Sequence, residues 1–366
     1  MKIAIDGYEL GREARGVGRV IDNILMPLFD LLPGSEFRIY TKESIGKYAH
    51  PRAGEHVLAY CGGYLRWQNG PLRRALRRSA PDLLVATNYV LPLVNPWKSV
   101  LFEHDISVIA HPEWYPRRYA YTRKSLVKRS LKKATSIVVP SGFTREEMLA
   151  SFGVEPGKLR VICYGVEAKF RRAGPDKVLA WKEKKGLTGK KIVGFLGSIF
   201  VRRHIPCLVR AVSLVRREVP ETVLYVVGKD LSGSRPGEMA RLLGQEWIRW
   251  DETLSEEELP LFYSALDAFA YLSEYEGFGF PPLEALACGA PVVLLRGSSL
   301  EEFFGDFALM VEHPDDQEVR AALQTLLSDS GARRRQAARF EEARSRFTWQ
   351  KTAGEVAQVL RDLGAK

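Results

Sequence analysis

Residues Ser273–Val293 read SEYEGFGFPPLEALACGAPVV. The apolar run ending at Leu272 has the character of a buried strand, and it leads into a loop holding Gly277 and Gly279. Pro281 and Pro282 suit the first turn of a helix, where a missing N–H costs nothing. Gly289 suits the C-terminal stop of that helix, and Pro291–Leu295 begins a second buried strand. Strand, glycine loop, helix and strand make one unit of a parallel sheet covered on both faces. The free amides at the helix start can hold a diphosphate, favoured by the positive end of the helix dipole. Glu276 sits in the loop and Glu284 is expected in the first helical turn. A phosphate site seldom wants two carboxylates unless they accept from hydroxyls, as a carboxylate does from two adjacent hydroxyls of a ribose or hexose. The arrangement therefore suits a ligand with sugar, phosphate and sugar in sequence. The plainer alternative is that Glu284 merely favours a helix N-terminus and Glu276 is a solvated loop residue.

The same alternation extends in both directions. Strands are expected at Lys2–Asp6, Phe37–Thr41, His56–Tyr60, Leu83–Ala86, Ser99–Glu103 and Ser136–Val139. A second series follows at Lys191–Leu196, Thr222–Val227, Ala268–Leu272, Pro291–Leu295 and Ala308–Val311. Between the two series, Phe170–Lys190 is polar and rich in Gly and Lys. After it, KIVGFLGS echoes the opening KIAIDGYEL. The reading is an α/β chain with two doubly wound domains, residues 1–170 and 171–348. The segment 349–366 adds an amphipathic helix with Ala353, Val356, Val359, Leu360 and Leu363 at helical spacing. In open parallel sheets ligands bind beyond the carboxyl ends of the strands, so the residues just after each strand are the candidates.

Composition narrows the classes. With 46% apolar and 10% aromatic residues, the 366-residue chain has material for large cores. No apolar run approaches the ~20 residues of a membrane-spanning helix. The short apolar start, broken by Asp6, reads as a strand and not a signal peptide, so a cytoplasmic location is expected. Four cysteines form no C-x-x-C pair and six histidines form no ligand-spaced cluster, which argues against a disulfide framework or a metal site. The formal charge is +10, and all of it lies in residues 1–170, which hold 26 Lys and Arg against 16 Asp and Glu. That asymmetry suggests an anionic partner for the first half, unless it is simply a well-solvated basic surface. Arg66–Arg78 and Arg117–Lys133 combine arginines and lysines with Leu72, Leu76, Leu126 and Leu131. A helix from Pro71 is expected, and such basic amphipathic segments suit an anionic membrane at the inner face of the plasma membrane.

Glu-Gly-Phe-Gly-x-Pro-x-x-Glu-Ala, with seven residues between Glu276 and Glu284, resembles the signature of family 4 of the retaining nucleotide-sugar glycosyltransferases. Further motifs follow in order. Gly16-Val17-Gly18-Arg19 is similar to the family's first glycine-rich loop, Glu103-His104-Asp105-Ile106 to its His-Asp strand end, and Ala134–Ile162 to the last strands of its N-terminal domain. Leu196-Gly-Ser-Ile-Phe-Val-Arg-Arg-His resembles its phosphate loop. The resemblance implies the GT-B fold: two facing Rossmann-like domains, the second holding the donor, and a last helix crossing back to the first. It implies that Glu284 binds ribose hydroxyls, that Glu276 and the amides of Gly277, Phe278 and Gly279 meet the transferred sugar, and that His104 touches the same sugar. Gly16 and Gly18 would bring a loop near the diphosphate. A lone strand-end His is also commonly a satisfied structural residue.

The sequence departs from the family at the phosphate loop. Ser198 follows Gly197, and Arg203 stands where a Lys is usual, with Arg202 before it. Either arginine can offset diphosphate charge. The base pocket is expected near Ile248–Leu254, with Trp250 packing there. No Asp-x-Asp occurs, so the arginines and helix amides would stand in for a metal, and no cofactor beyond the substrate is implied. The implied reaction is retaining, with front-face attack by an acceptor hydroxyl. The overall pattern looks most like bacterial mannosyltransferases of O-antigen and exopolysaccharide assembly. The expected donor is GDP-mannose, then a UDP-hexose, and the acceptor a saccharide or lipid-linked saccharide. A dinucleotide oxidoreductase would need G-x-G-x-x-G directly after the first strand, and here Ile21 takes the third glycine's place. A nucleic-acid partner would need a recognition motif beside Arg73-Arg74-x-x-Arg77-Arg78, and none is present. A sugar-nucleotide epimerase or phosphorylase of the same fold is the nearer rival.

Overall fold

The computed structural model describes residues 1–11, 16–48, 50–233, 237–329, 331, 336 and 338–365. The chain forms two compact units, Met1–Gly165 with Thr348–Lys366, and Val166–Phe347. The changeover precedes the expected boundary at 170. Phe170 is buried and meets the Tyr263 ring edge-on at 6.1 Å, so the residues after Gly165 pack with the second unit.

The first unit is built on β1 (Lys2–Asp6), β2 (Glu36–Thr41), β3 (Ala53–Val57), β4 (Leu83–Ala86), β5 (Lys98–Phe102), β6 (Ser136–Val139) and β7 (Leu159–Val161). Their order is β3-β2-β1-β4-β5-β6-β7, with every pair parallel. Apart from Lys2 at the start of β1, strands β1, β4 and β6 are buried along their length, as helices on both faces require. The helix Trp349–Asp362 packs on the helix Val17–Leu31. Its Val356 and Leu360 meet Ile5, Ile21 and Leu25 over the sheet.

Three local expectations are corrected. The third strand is Ala53–Val57 and not His56–Tyr60. It is an edge strand with an exposed end, so apolar content does not mark it, and Ala59 at φ 29° turns the chain away. The helix expected from Pro71 begins instead at Tyr64 and runs to Ser79 through a π-turn at Gln68–Leu72. The widened turn accommodates the proline, which has no N–H to give. Leu72, Leu76 and Leu131 are buried in the core, where they cannot serve as a surface stripe.

The second unit contains β8 (Lys191–Leu196), β9 (Thr222–Val227), β10 (Ile248–Asp251), β11 (Ala268–Tyr271), β12 (Val292–Leu295) and β13 (Leu309–Val311). The order is β10-β9-β8-β11-β12-β13, again all parallel. In each sheet the chain winds outward in one direction and then returns to the middle. The switch points lie between β1 and β4 and between β8 and β11, and the crevice beyond the strand ends there is where such sheets bind ligands.

Candidate active site

At the switch point of the second unit, β8 is followed by Gly197 at φ 139°. A Cβ there would stand 2.7 Å from Arg203 Nη1, so glycine alone lets the guanidinium pass. The 3-10 turn Val201–Arg203 follows and carries both arginines, each buried. Arg203 Nη1 donates to Ser198 O at 2.7 Å. Its Nε and Nη2 donate to Glu276 Oε1 at 3.2 and 2.9 Å. The Tyr271 hydroxyl and Ser273 Oγ donate to the same oxygen, each at 2.9 Å. Glu276 Oε1 is therefore saturated, while Oε2 has no hydrogen-bond partner among the described residues. Burial pushes the Glu276 carboxyl up, but the guanidiniums of Arg203 and Arg202 outweigh it and hold the group below the usual carboxylate range. Arg203 is thus committed to Glu276 and Ser198, with its charge also over the Tyr271 ring at 5.1 Å. Arg202 lies over Phe200 at 4.9 Å and adds its charge to the same place.

After Glu276 the chain turns through Gly279 at φ 100°, where a Cβ would meet Leu300 Cδ2 at 2.5 Å. Ser299 Oγ fixes this loop by donating to Glu276 O at 2.6 Å. The helix is Phe280–Ala287, with prolines in its first turn. Glu284 is its fifth residue, so it belongs to the second turn and not the first. It is 3% exposed, and its Oε2 accepts from the Tyr263 hydroxyl at 2.8 Å. The Phe278 side chain is not part of a ligand surface. It is buried in an aromatic cluster with Phe280, Phe303 and Phe347, leaving Phe278 only its backbone to offer. Trp250 is half-buried on β10, and its Nε1 donates at 2.8 Å to the carbonyl of Gly228, the residue after β9. The structure therefore joins Gly197, Ser198, Arg202, Arg203 and Glu276 directly, with Gly277, Gly279 and Glu284 following on one loop and helix.

In the first unit, His104 is held by both ring nitrogens. Its Nε2 lies 2.9 Å from Thr87 O, which can only accept, so Nε2 carries the proton. Nδ1 then accepts from the Tyr164 hydroxyl at 2.6 Å. Both ring nitrogens are used within the unit, the residue is buried, and burial lowers its pKa to about 4. It is a neutral imidazole with both ring nitrogens hydrogen-bonded. Gly16, at φ 54°, precedes the helix Val17–Leu31, but Gly18 is that helix's second residue and not a loop position.

Several groups of the two sites carry no mark in the sequence. Tyr271, Ser273 and Tyr263 position the two glutamates, and only the strand-end placement of Ser273 hinted at this. In the first unit, Asp6 is fully buried at the end of β1. It accepts from Trp67 Nε1 at 2.9 Å, Tyr64 OH at 3.0 Å and Tyr8 N at 3.2 Å. Among the described residues no group of three or more His, Cys, Asp or Glu could hold a metal ion. No helix of the described residues is long and apolar enough to cross a membrane.

Comparison with known proteins accords with this architecture. The model for Glycosyl transferases group 1 matches residues 178–344, and that for Glycosyltransferase Family 4 matches residues 33–170. The chain is 30% identical to O-antigen chain mannosyltransferase B of Escherichia coli over 75% of its own length and 73% of the relative's. It is 28% identical to the GDP-mannose-dependent alpha-(1-6)-phosphatidylinositol monomannoside mannosyltransferase of Mycolicibacterium smegmatis, over 65% of each chain. Among solved structures, Anabaena Alr3699/HepE in complex with UDP-glucose superimposes with a TM-score of 0.78 at 17% identity, covering 99% of this chain and all of the other. With its two parallel-sheet units the chain has the GT-B fold.

Proposed function

The chain belongs to glycosyltransferase family 4, and from that premise we propose that it moves a hexose from a nucleotide-sugar to a saccharide or lipid-linked saccharide, with retention and without a metal. The observation that carries this reading is the Glu276 carboxylate. Four donors lock one oxygen at the switch point of the second unit, and the other is left to accept from a sugar hydroxyl. Glu284, held by Tyr263, accepts from the ribose of the donor. The amides of Gly277–Gly279 and the helix that follows receive the diphosphate, and the charge of Arg202 favours its departure. Arg203 acts through Glu276 and the Ser198 backbone, as a positioning residue. The acceptor hydroxyl attacks from the face that the diphosphate leaves, and a diphosphate oxygen takes its proton.

The mannosyltransferase relatives favour mannose, with GDP-mannose as the donor, and a role in cell-surface polysaccharide or lipopolysaccharide assembly. The test is to incubate the protein with GDP-mannose and with a panel of UDP-hexoses, with and without lipid extract, and to follow nucleoside diphosphate release. Release from GDP-mannose that rises with acceptor supports the reading, and anomeric configuration by NMR tests retention. Release from a UDP-hexose alone would replace the donor. No release from any nucleotide-sugar would overturn the function.

A further inference from the structure

His204 follows the turn Val201–Arg203 and precedes the helix Ile205–Val215. Its backbone is left-handed, with φ 49° and ψ 40°. Among the described residues the other non-glycine residues with positive φ are Ala59, Ala80 and Tyr89, all in the first unit. A Cβ is strained in that conformation and glycine is not. The His204 side chain does not cap the helix it precedes, so helix capping does not account for a histidine there. A strained residue beside a candidate site asks what its side chain does.

The ring reaches a second carboxylate of the loop that carries Glu276. His204 Nε2 bonds Glu274 Oε1, and because a carboxylate only accepts, Nε2 carries the proton. Ser273 and Tyr275 on either side are buried, whereas Glu274 is exposed. The main chain of Glu274 is tied to the same turn, since its N–H donates to Arg202 O at 3.0 Å. Two residues on, Arg203 holds Glu276. The turn and the loop are thus joined through three successive residues, 202, 203 and 204. Their two carboxylates are treated differently: Glu276 is clamped with one oxygen left to accept, and Glu274 is taken up by the imidazole. That difference has an electrostatic consequence. A carboxylate whose backbone is bonded to Arg202 stands beside the residue whose charge is to meet a diphosphate. Left uncovered, it repels that diphosphate and competes with it for the guanidinium.

We propose that His204 is a positioning residue that holds the Glu274 carboxylate away from the diphosphate and from Arg202, an inference that rests on the nucleotide-sugar reading of this site. Glycine would suit the backbone at 204 better, but it would release the carboxylate. The strain is kept because the ring is needed.

Calorimetric titration of GDP and UDP into the full chain, paired with thermal melting, tests this. His204→Gly should weaken nucleoside diphosphate binding about tenfold. Its melting temperature should hold or rise, because glycine accepts φ 49° without strain. A residue with a merely structural role would not move binding and stability in opposite directions. Glu274→Gln should bind at least as tightly as the wild type, and adding it to His204→Gly should restore binding to within about twofold. His204→Asn, which tolerates left-handed backbone and keeps an N–H donor, should stay within about threefold. The His204→Gly defect should shrink to about threefold or less in 0.5 M NaCl, as screened repulsion does. Wild-type affinity in His204→Gly would overturn the proposal. So would a double variant as weak as His204→Gly, or a Glu274→Gln variant that binds as poorly. Absence of nucleotide binding by the wild type would sink the donor site and this proposal with it. Wild-type binding that is indifferent to residue 204 sinks this proposal alone.

Discussion

Arg203→Met tests the central contact of the second unit. The change keeps most of the side-chain volume but removes two hydrogen bonds to Glu276 and one to Ser198. Breaking a buried ion pair from one side costs about 3–5 kcal/mol. The two side chains are 10% and 12% exposed, which puts the cost near the lower end, about 3 kcal/mol. The sign of the pH dependence also changes. In the wild type the folded-state pKa of Glu276 is depressed, so its contribution is present above the unfolded pKa and is lost only as pH falls through the folded value. Without Arg203, burial is opposed only by Arg202 and the remaining hydrogen bonds, and the folded pKa is expected to rise above its ordinary value. The variant should then lose stability as pH rises above about 4.5 toward that raised value. Hydrogen exchange by mass spectrometry on peptides spanning 196–204 and 271–280 reads this locally, and protection at pH 7.5 should fall about a hundredfold. Adding Glu276→Gln removes the stranded charge and should recover roughly 1–2 kcal/mol. If the double variant exchanges as fast as Arg203→Met at pH 7.5, or if exchange corrected for its intrinsic rate ignores pH, the clamp does not exist as described.

Three further expectations concern other parts of the two units. Glu284→Ala should weaken nucleoside diphosphate binding by about 1–3 kcal/mol, through loss of charged hydrogen bonds; calorimetry showing wild-type affinity would remove it from the site. Turnover should survive EDTA, and loss by chelation with rescue by Mg²⁺ or Mn²⁺ would refute the metal-free reaction. His104, with its pKa lowered to about 4, should stay neutral at pH 5.5 by NMR. The unfolded chain takes up that proton near 6.5, so His104 should cost the fold up to roughly 3 kcal/mol as pH falls from 6.5 to 4. A His104 resonance titrating near 6.5 would contradict the buried tautomer.

Parallel topology was legible because strands buried on both faces are continuous apolar runs, as in Lys191–Leu196 and Val292–Leu295. The edge strand Ala53–Val57 has no such run, and its register had to come from β2. Glu276 and Glu284 stood out because carboxylates beside a helix start ask for a reason. Their supports did not stand out, since Tyr263 and Tyr271 are aromatic residues in apolar company until their hydroxyls are placed. The place of the Phe278 ring did not stand out either: a residue between two loop glycines gives no sign that its ring is buried among other phenylalanines. Asp6 was read as breaking an apolar start, and nothing in the sequence joins it to Trp67, 61 positions on.

The last helix has a consequence for synthesis. Val356 and Leu360 complete the apolar layer over Ile5, Ile21 and Leu25, so the core that β1 begins is closed only by a helix made after the whole Val166–Phe347 unit. The intervening Val166–Phe347 unit contains its whole sheet and can fold while the earlier one is still open. During that interval the uncovered Ile and Leu side chains are the nascent chain's sticky surface, the natural place for a chaperone to hold it. A chain cut before Trp349 would carry that surface permanently and should aggregate even though every strand of both sheets is present.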